Sequence, residues 1–100
     1  MNTVIQLVTH TVVTDVLGQQ VQVPLCREVF AEELPVRMSE FFAAGQQGIK
    51  PQRVFKMWSD EYADEQHLSY EGVTHRIYRV YRDTKARKTE LYCEVRIGDD

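Results

Sequence analysis

The histidines, cysteines, serines and carboxylates come first, because these side chains bind metals, attack carbonyls or move protons. His10, His67 and His75 lie far apart in the chain, without the i, i+4 or HxH spacing that presents two imidazoles to one metal ion. They read as polar or half-buried side chains, and no metal is expected. Cys26 and Cys93 sit in strand-like segments with no CxxC spacing, which reads as two small core or surface thiols of a reducing compartment. No serine or cysteine stands in a GxSxG elbow, the strand-turn-helix setting that exposes a nucleophile. Gly45 and Gly48 do not make a phosphate loop, since Lys50 precedes Pro51 instead of opening a helix. The acidic run holding Asp60, Glu61, Asp64 and Glu65 lacks the alternating ligands and turn glycine of a calcium loop. It reads as a solvated acidic loop with Tyr62 as its anchor. A chain that is not an enzyme and carries no cofactor is expected.

The interleaving of tyrosine and arginine is more suggestive. Arg76, Tyr78, Arg79, Tyr81 and Arg82, with Tyr92 and Arg96 further on, fall on two strands expected to pair as a hairpin. Aromatics beside guanidinium groups on a small barrel can stack single-stranded bases; the same residues are favoured at protein interfaces. The net charge of −3 opposes general affinity for nucleic acid or an anionic membrane, and the interface is the stronger reading. A nucleic-acid-binding barrel is the alternative. The acidic loop and a basic loop with Arg82, Lys85, Arg87 and Lys88 would let copies meet head to tail. Contacts of that kind close into rings when the rotation permits.

One helix must be positioned among strands. In VRMSEFFAAGQQGIKPQRVF, residues Met38, Phe41, Phe42 and Gly45 fall at i, i+3, i+4 and i+7, one face of a 3.6-residue repeat. Ser39 is placed to cap the first turn, Glu40 to favour the positive end of the dipole, and Gly48 to stop the helix in left-handed geometry. Neighbouring helical positions diverge by about 100°, so one phenylalanine is assigned to the barrel, Phe41, and Phe42 to a partner. Strands are expected over residues 3–13 and 20–31, with Val21, Val23, Leu25 and Val29 inward and Phe30 outward; Pro24 implies an edge or a bulge there. Further strands are expected at 53–58, from 68 to a turn at Glu71-Gly72, at 75–82 and at 89–97. In the last, Leu91, Cys93, Val95 and Ile97 point inward. One hundred residues form one domain spanning 1–100, and 43% apolar with 27% charged residues suits a folded globular chain. No apolar run approaches the ~18 residues of a membrane span, and no signal pattern opens the chain, so a cytosolic origin without membrane contact is expected. The fold class is mainly β: a small antiparallel barrel or sandwich of about six strands, with one short helix between strands two and three.

From about Val29 to Gly98 the chain resembles the head-closure, or head–tail joining, proteins of long-tailed bacteriophages. The resemblance rests on VFAEEL, RMSEFFAAGQQGIKPQRVF, the Asp60 to Tyr62 step followed by Glu65, Tyr70-Glu71-Gly72, HRIYRVYR and ELYCEVRIG, in that order and spacing. Phe30 stands where a tryptophan is expected, and His75 where a tyrosine is. The resemblance implies a small β-barrel that forms a ring beneath the portal or its adaptor, closes the DNA-filled head and presents a platform to the tail proteins. It implies a place in the virion, after assembly in the host cytoplasm, with packaged DNA passing through the ring without sequence-specific binding. It also implies that the loop from about Leu34 to Pro51 is mobile in the monomer and ordered in the assembly. Arg37, Met38, Ser39, Glu40, Phe41, Gln46, Gln47 and Lys50 lie on that loop.

Overall fold

The computed structural model describes residues 2–95. Strands run over Asn2–Thr14 (β1), Gln20–Leu34 (β2), Arg53–Trp58 (β3), His67–Tyr70 (β4), Val73–Asp83 (β5) and Lys88–Glu94 (β6). A helix occupies Met38–Gly45 (α1), and a single 3-10 turn Ser59–Glu61. All neighbouring strands are antiparallel and close into one barrel in the order β1-β2-β3-β6-β5-β4. Of the barrel or sandwich expected, the chain forms the barrel, with six strands and the helix between the second and third.

Period-two alternation sets what the barrel encloses. Ile5 and Leu7 of β1, Val29 and Ala31 of β2, Phe55 and Met57 of β3, Leu68 of β4, Ile77 of β5 and Leu91 and Cys93 of β6 form one buried cluster. Burying each of the larger side chains contributes about 1.5–3 kcal/mol. Tyr62, the expected anchor of the acidic loop, closes the cluster and donates its hydroxyl to the Glu65 carbonyl at 2.6 Å. Cys93 is buried there and Cys26 exposed, both as free thiols; burial pushes the Cys93 thiol up to about 12.

Two expectations about strand faces are corrected. Val21 and Leu25 are not core residues but stand exposed, and the reason is topological. β1 and β2 pair along their whole length, from Asn2 with Glu32 to Thr14 with Gln20. Yet β4 joins β1 only at Gln6–Val8, and β3 joins β2 only at Glu32–Leu34. The remainder of the hairpin leaves the barrel as a two-stranded arm. It ends in a turn where the Asp15 carboxylate accepts the Leu17 and Gln19 amides at 2.9 Å and Gly18 takes φ +80°. Pro24 lies on this arm opposite His10, where the outer edge of β2 has no ladder to lose, as its missing N–H requires.

The second correction concerns β5, whose residues do not alternate cleanly. Ile77 pairs with Cys93 but Arg79 with Tyr92, so Tyr78 is an extra residue in the ladder. Such a bulge moves every later side chain to the other face. His75 and Ile77 point inward before it; after it Val80 and Arg82 lie opposite the buried Leu91 and Thr89. Tyr81, which strict alternation along 75–82 would put on the face of Ile77, is turned out and half exposed. At the chain's end β6 stops at Glu94; the expected continuation through Arg96 and Ile97 lies outside the described residues.

His75, on the inward row, is 2% exposed, with Nδ1 3.0 Å from the Val73 carbonyl. Burial pushes its imidazole below the ordinary value, and the Arg53 guanidinium adds to this against the Val73 hydrogen bond and the Glu33 carboxylate. The folded state therefore binds the His75 proton more weakly than the unfolded state does. Stability should fall as pH drops through the unfolded value of about 6.5 and continue falling to the lowered folded value. Thermal unfolding between about pH 7.5 and 5.5 should show this slope, and a His75→Gln variant should flatten it.

Candidate interface

The outer surface of β3, β6 and β5 carries α1, and the way the helix sits is the least expected feature of the molecule. Arg37 precedes the helix in extended geometry, φ −76° and ψ 151°, without a side-chain cap. Ser39 lies inside the first turn and does not cap it, because the chain becomes helical one residue earlier, at Met38. Gly48 does stop the helix: at φ +75° it donates to the Gly45 carbonyl at 3.1 Å, and Ile49 donates to Ala44 at 3.0 Å. That pair of bonds is the Schellman termination.

The expected apolar face does not meet the barrel. Glu40 and Ala44, at i and i+4, are buried, whereas Met38 is 68%, Phe41 40% and Phe42 69% exposed. The assignment of Phe41 to the barrel core is thereby overturned, and the stripe of Met38, Phe41 and Phe42 points to solvent. Donors on the bulged strand reverse the helix. Glu40 Oε2 accepts the Tyr78 hydroxyl at 2.8 Å, and Glu40 Oε1 accepts Arg79 Nη2 at 2.5 Å. Arg79 lies 3.8 Å over the Tyr92 ring, and Tyr92 donates to Glu90 at 2.6 Å. Burial works to raise the Glu40 carboxyl, but the hydrogen bonds from Arg79 and Tyr78 and the guanidinium charge hold it below its ordinary value. Tyr78 is pushed up by burial and by its bond to the Glu40 carboxylate. The cleft between Pro35, Glu40, Val54, Arg79 and Tyr92 has about 200 Å³, short of the ~300–1,000 Å³ of small-molecule sites.

Among the described residues, the same kind of pairing neutralises the arginines of β5. Arg76 pairs with Glu94, Arg79 with Glu40 and Arg82 with Asp64. Phosphate contacts draw on cations that are not already neutralised, and these three arginines each have a carboxylate partner; Arg96 lies outside the described residues.

The acidic and basic loops adjoin within one chain. Asp64, at φ 63°, holds Arg82 at 2.5 Å, and Arg82 lies 5.4 Å over the Tyr62 ring. The Ser59 amide donates to the Arg87 carbonyl at 2.9 Å, and Ser59 and Thr89 share a hydroxyl bond at 2.8 Å. Glu65 is not a solvated loop charge: it is buried, pairs with Arg27 at 2.7 Å and accepts the Ala63 amide at 2.9 Å. Burial works to raise its carboxyl, yet Arg27 and the amides hold it low. Lys88 sits 3.7 Å over Trp58. Asp60, Glu61, Lys85 and Arg87 remain exposed, as do Gln46, Gln47 and Lys50 beyond the helix. Phe30 is 70% exposed on the outward row of β2, opposite Val4. Sequence reasoning missed Arg27 and the clasp on Glu40; the Tyr78-Arg79 pair was visible, but not its partner.

Among the described residues no cluster of three or more His, Cys, Asp or Glu is placed to hold a metal ion, and no helix is long and apolar enough to cross a membrane. No family model, curated protein or solved structure matches this chain.

Replacing Glu40 by alanine should free α1 while leaving the barrel intact. A hydrogen bond to a charged group contributes roughly 1.5–3 kcal/mol, and Arg79 is nearly half exposed, so a loss of roughly 1–2 kcal/mol is expected. Amide exchange of Met38–Gly45 should accelerate far more than that of β6. In the wild type, this contribution is present above the ordinary carboxyl value of 4.5 and is lost as pH falls through the lower folded value.

Proposed function

We propose that this chain is a structural, non-enzymatic protein of a bacteriophage neck. Its copies form a ring beneath the portal or head-completion adaptor, close the DNA-filled head and offer a platform to tail proteins. Packaged DNA passes through without being read. The observation that carries this reading is the outward stripe of Met38, Phe41 and Phe42 on a helix clasped by Glu40. Exposed apolar stripes of this kind mark protein interfaces, and this one lies in the loop between the second and third strands, where the resemblance to head-closure proteins puts docking. The barrel topology suits that resemblance.

Electron microscopy of the purified chain with a portal or adaptor partner tests the reading; rings on the portal axis are expected, and a chain that stays monomeric beside every neck component overturns it. Phe42→Ala should leave the melting temperature nearly unchanged, because the ring is already solvated in the monomer, yet sharply reduce incorporation into heads. Reversing charge at Lys85 and Arg87 should weaken assembly most at low salt without unfolding the barrel. Titration with single-stranded DNA should give weak binding; tight binding with a steep salt slope would favour the nucleic-acid alternative.

A further inference from the structure

The arm and the helix stripe are two unpartnered apolar surfaces at opposite ends of one strand. Between Thr9 and Cys26 the sole Asp, Glu, Lys or Arg is Asp15, in a chain that is 27% charged. At the arm's tip Val16 is 100% and Leu17 79% exposed, and Val12, Val13 and Leu25 are exposed along it. Charge depletion with exposed aliphatics is the composition of an interface core. The arm and the stripe cannot cover each other within one copy. The tip lies before Gln20 and α1 after Leu34, so β2 separates them by 15 residues, on the order of 45 Å of strand.

Charge selects the occupant. Arg37 and Lys50 flank α1 without an ion pair among the described residues. Asp15 uses Oδ1 for both turn amides, which leaves Oδ2 for a cation. We infer that the β1–β2 arm of one copy docks on the outward face of α1 in the next copy, Val16 and Leu17 against Met38 and Phe42, with Asp15 facing Arg37 and Lys50. Donor and acceptor surfaces differ, so the contact is heterologous and propagates until rotation closes it. This deepens the ring reading by naming the joint, and it rests on that reading only for closure.

Disulfide trapping tests it in the full chain with Cys26→Ser as background. Gln19→Cys at the tip and Gln46→Cys beside the stripe keep every apolar contact residue. On oxidation of an equimolar mixture, heterodimers should exceed either homodimer by about tenfold, the ratio that ~1.4 kcal/mol of pairing preference gives. The double variant should yield a ladder of covalent multimers. Asp15→Lys should suppress trapping, and Arg37→Asp with Lys50→Asp should restore it. A statistical mixture of dimers, no trapping, or trapping of Gln19→Cys on an added neck partner instead of a second copy overturns the inference. Rings seen by microscopy without heterodimer trapping would refute this joint and leave the ring standing; a trapped ladder that never gives rings with a portal would do the reverse.

Discussion

Closure of the barrel depends on two very short seams. β1 meets β4 over Gln6–Val8, and β2 meets β3 over Glu32–Leu34. Every buried side chain of the central cluster requires both, since an open sheet of this size would leave one face of Phe55, Leu68 and Leu91 wet. The first seam joins residues about sixty positions apart, a non-local pairing whose loop-closure entropy must be met before its contacts form. The seams also decide what is excluded. Because they engage only a few residues of two long strands, the rest of the hairpin has no third strand to lie against. The arm follows from where closure happens, not from any local turn preference.

Segments outside the barrel are tied to it by carboxylates. Glu65 holds the loop after the 3-10 turn against Arg27 of β2, and Glu40 holds α1 against Arg79 of β5. In both pairs the carboxylate is nearly buried and the guanidinium is 45% exposed. That geometry lies between the exposed pair, which contributes little, and the fully buried pair, whose desolvation cost rivals its attraction. Its main effect is placement. An apolar anchor at position 40 would have no directional partner to choose among rotations of the helix. The carboxylate, matched to one hydroxyl and one guanidinium, fixes which face looks out.

Particular residues show how far the sequence alone could be read. β3 and the β4 turn were legible because Arg53–Trp58 is a short run of β-branched and aromatic residues with Phe55 and Met57 on one face, and because Gly72, at φ +79°, marks the turn. The helix was legible as a helix, from its spacing and from Gly48. Its orientation was not, because periodicity reports where apolar residues cluster and is silent about a buried carboxylate with partners thirty-eight and thirty-nine positions away. β5 was illegible in its second half for a related reason: one extra residue, Tyr78, reverses the period and leaves no mark in composition. The arm's valines read as core because alternation records amphipathicity but not whether a second layer exists to cover it. The exposure of Phe30 and Phe42 was legible from parity and spacing; Arg27 and Val16 and Leu17 carried no signal without the register of the ladders.

The joint inferred above is one between unlike surfaces. An isologous dimer needs one patch that complements itself, and such a pair is complete at two copies. Here the apolar tip of the arm and the apolar stripe of α1 differ in the sign of the charges beside them, with Asp15 at one and Arg37 and Lys50 at the other. Neither surface is satisfied by a copy of itself, because like charges would then face one another. In the inferred joint each added subunit would cover one surface and present another. A contact of that kind would repeat the same step from copy to copy, ending in a ring where the rotation closes and in an open filament where it does not.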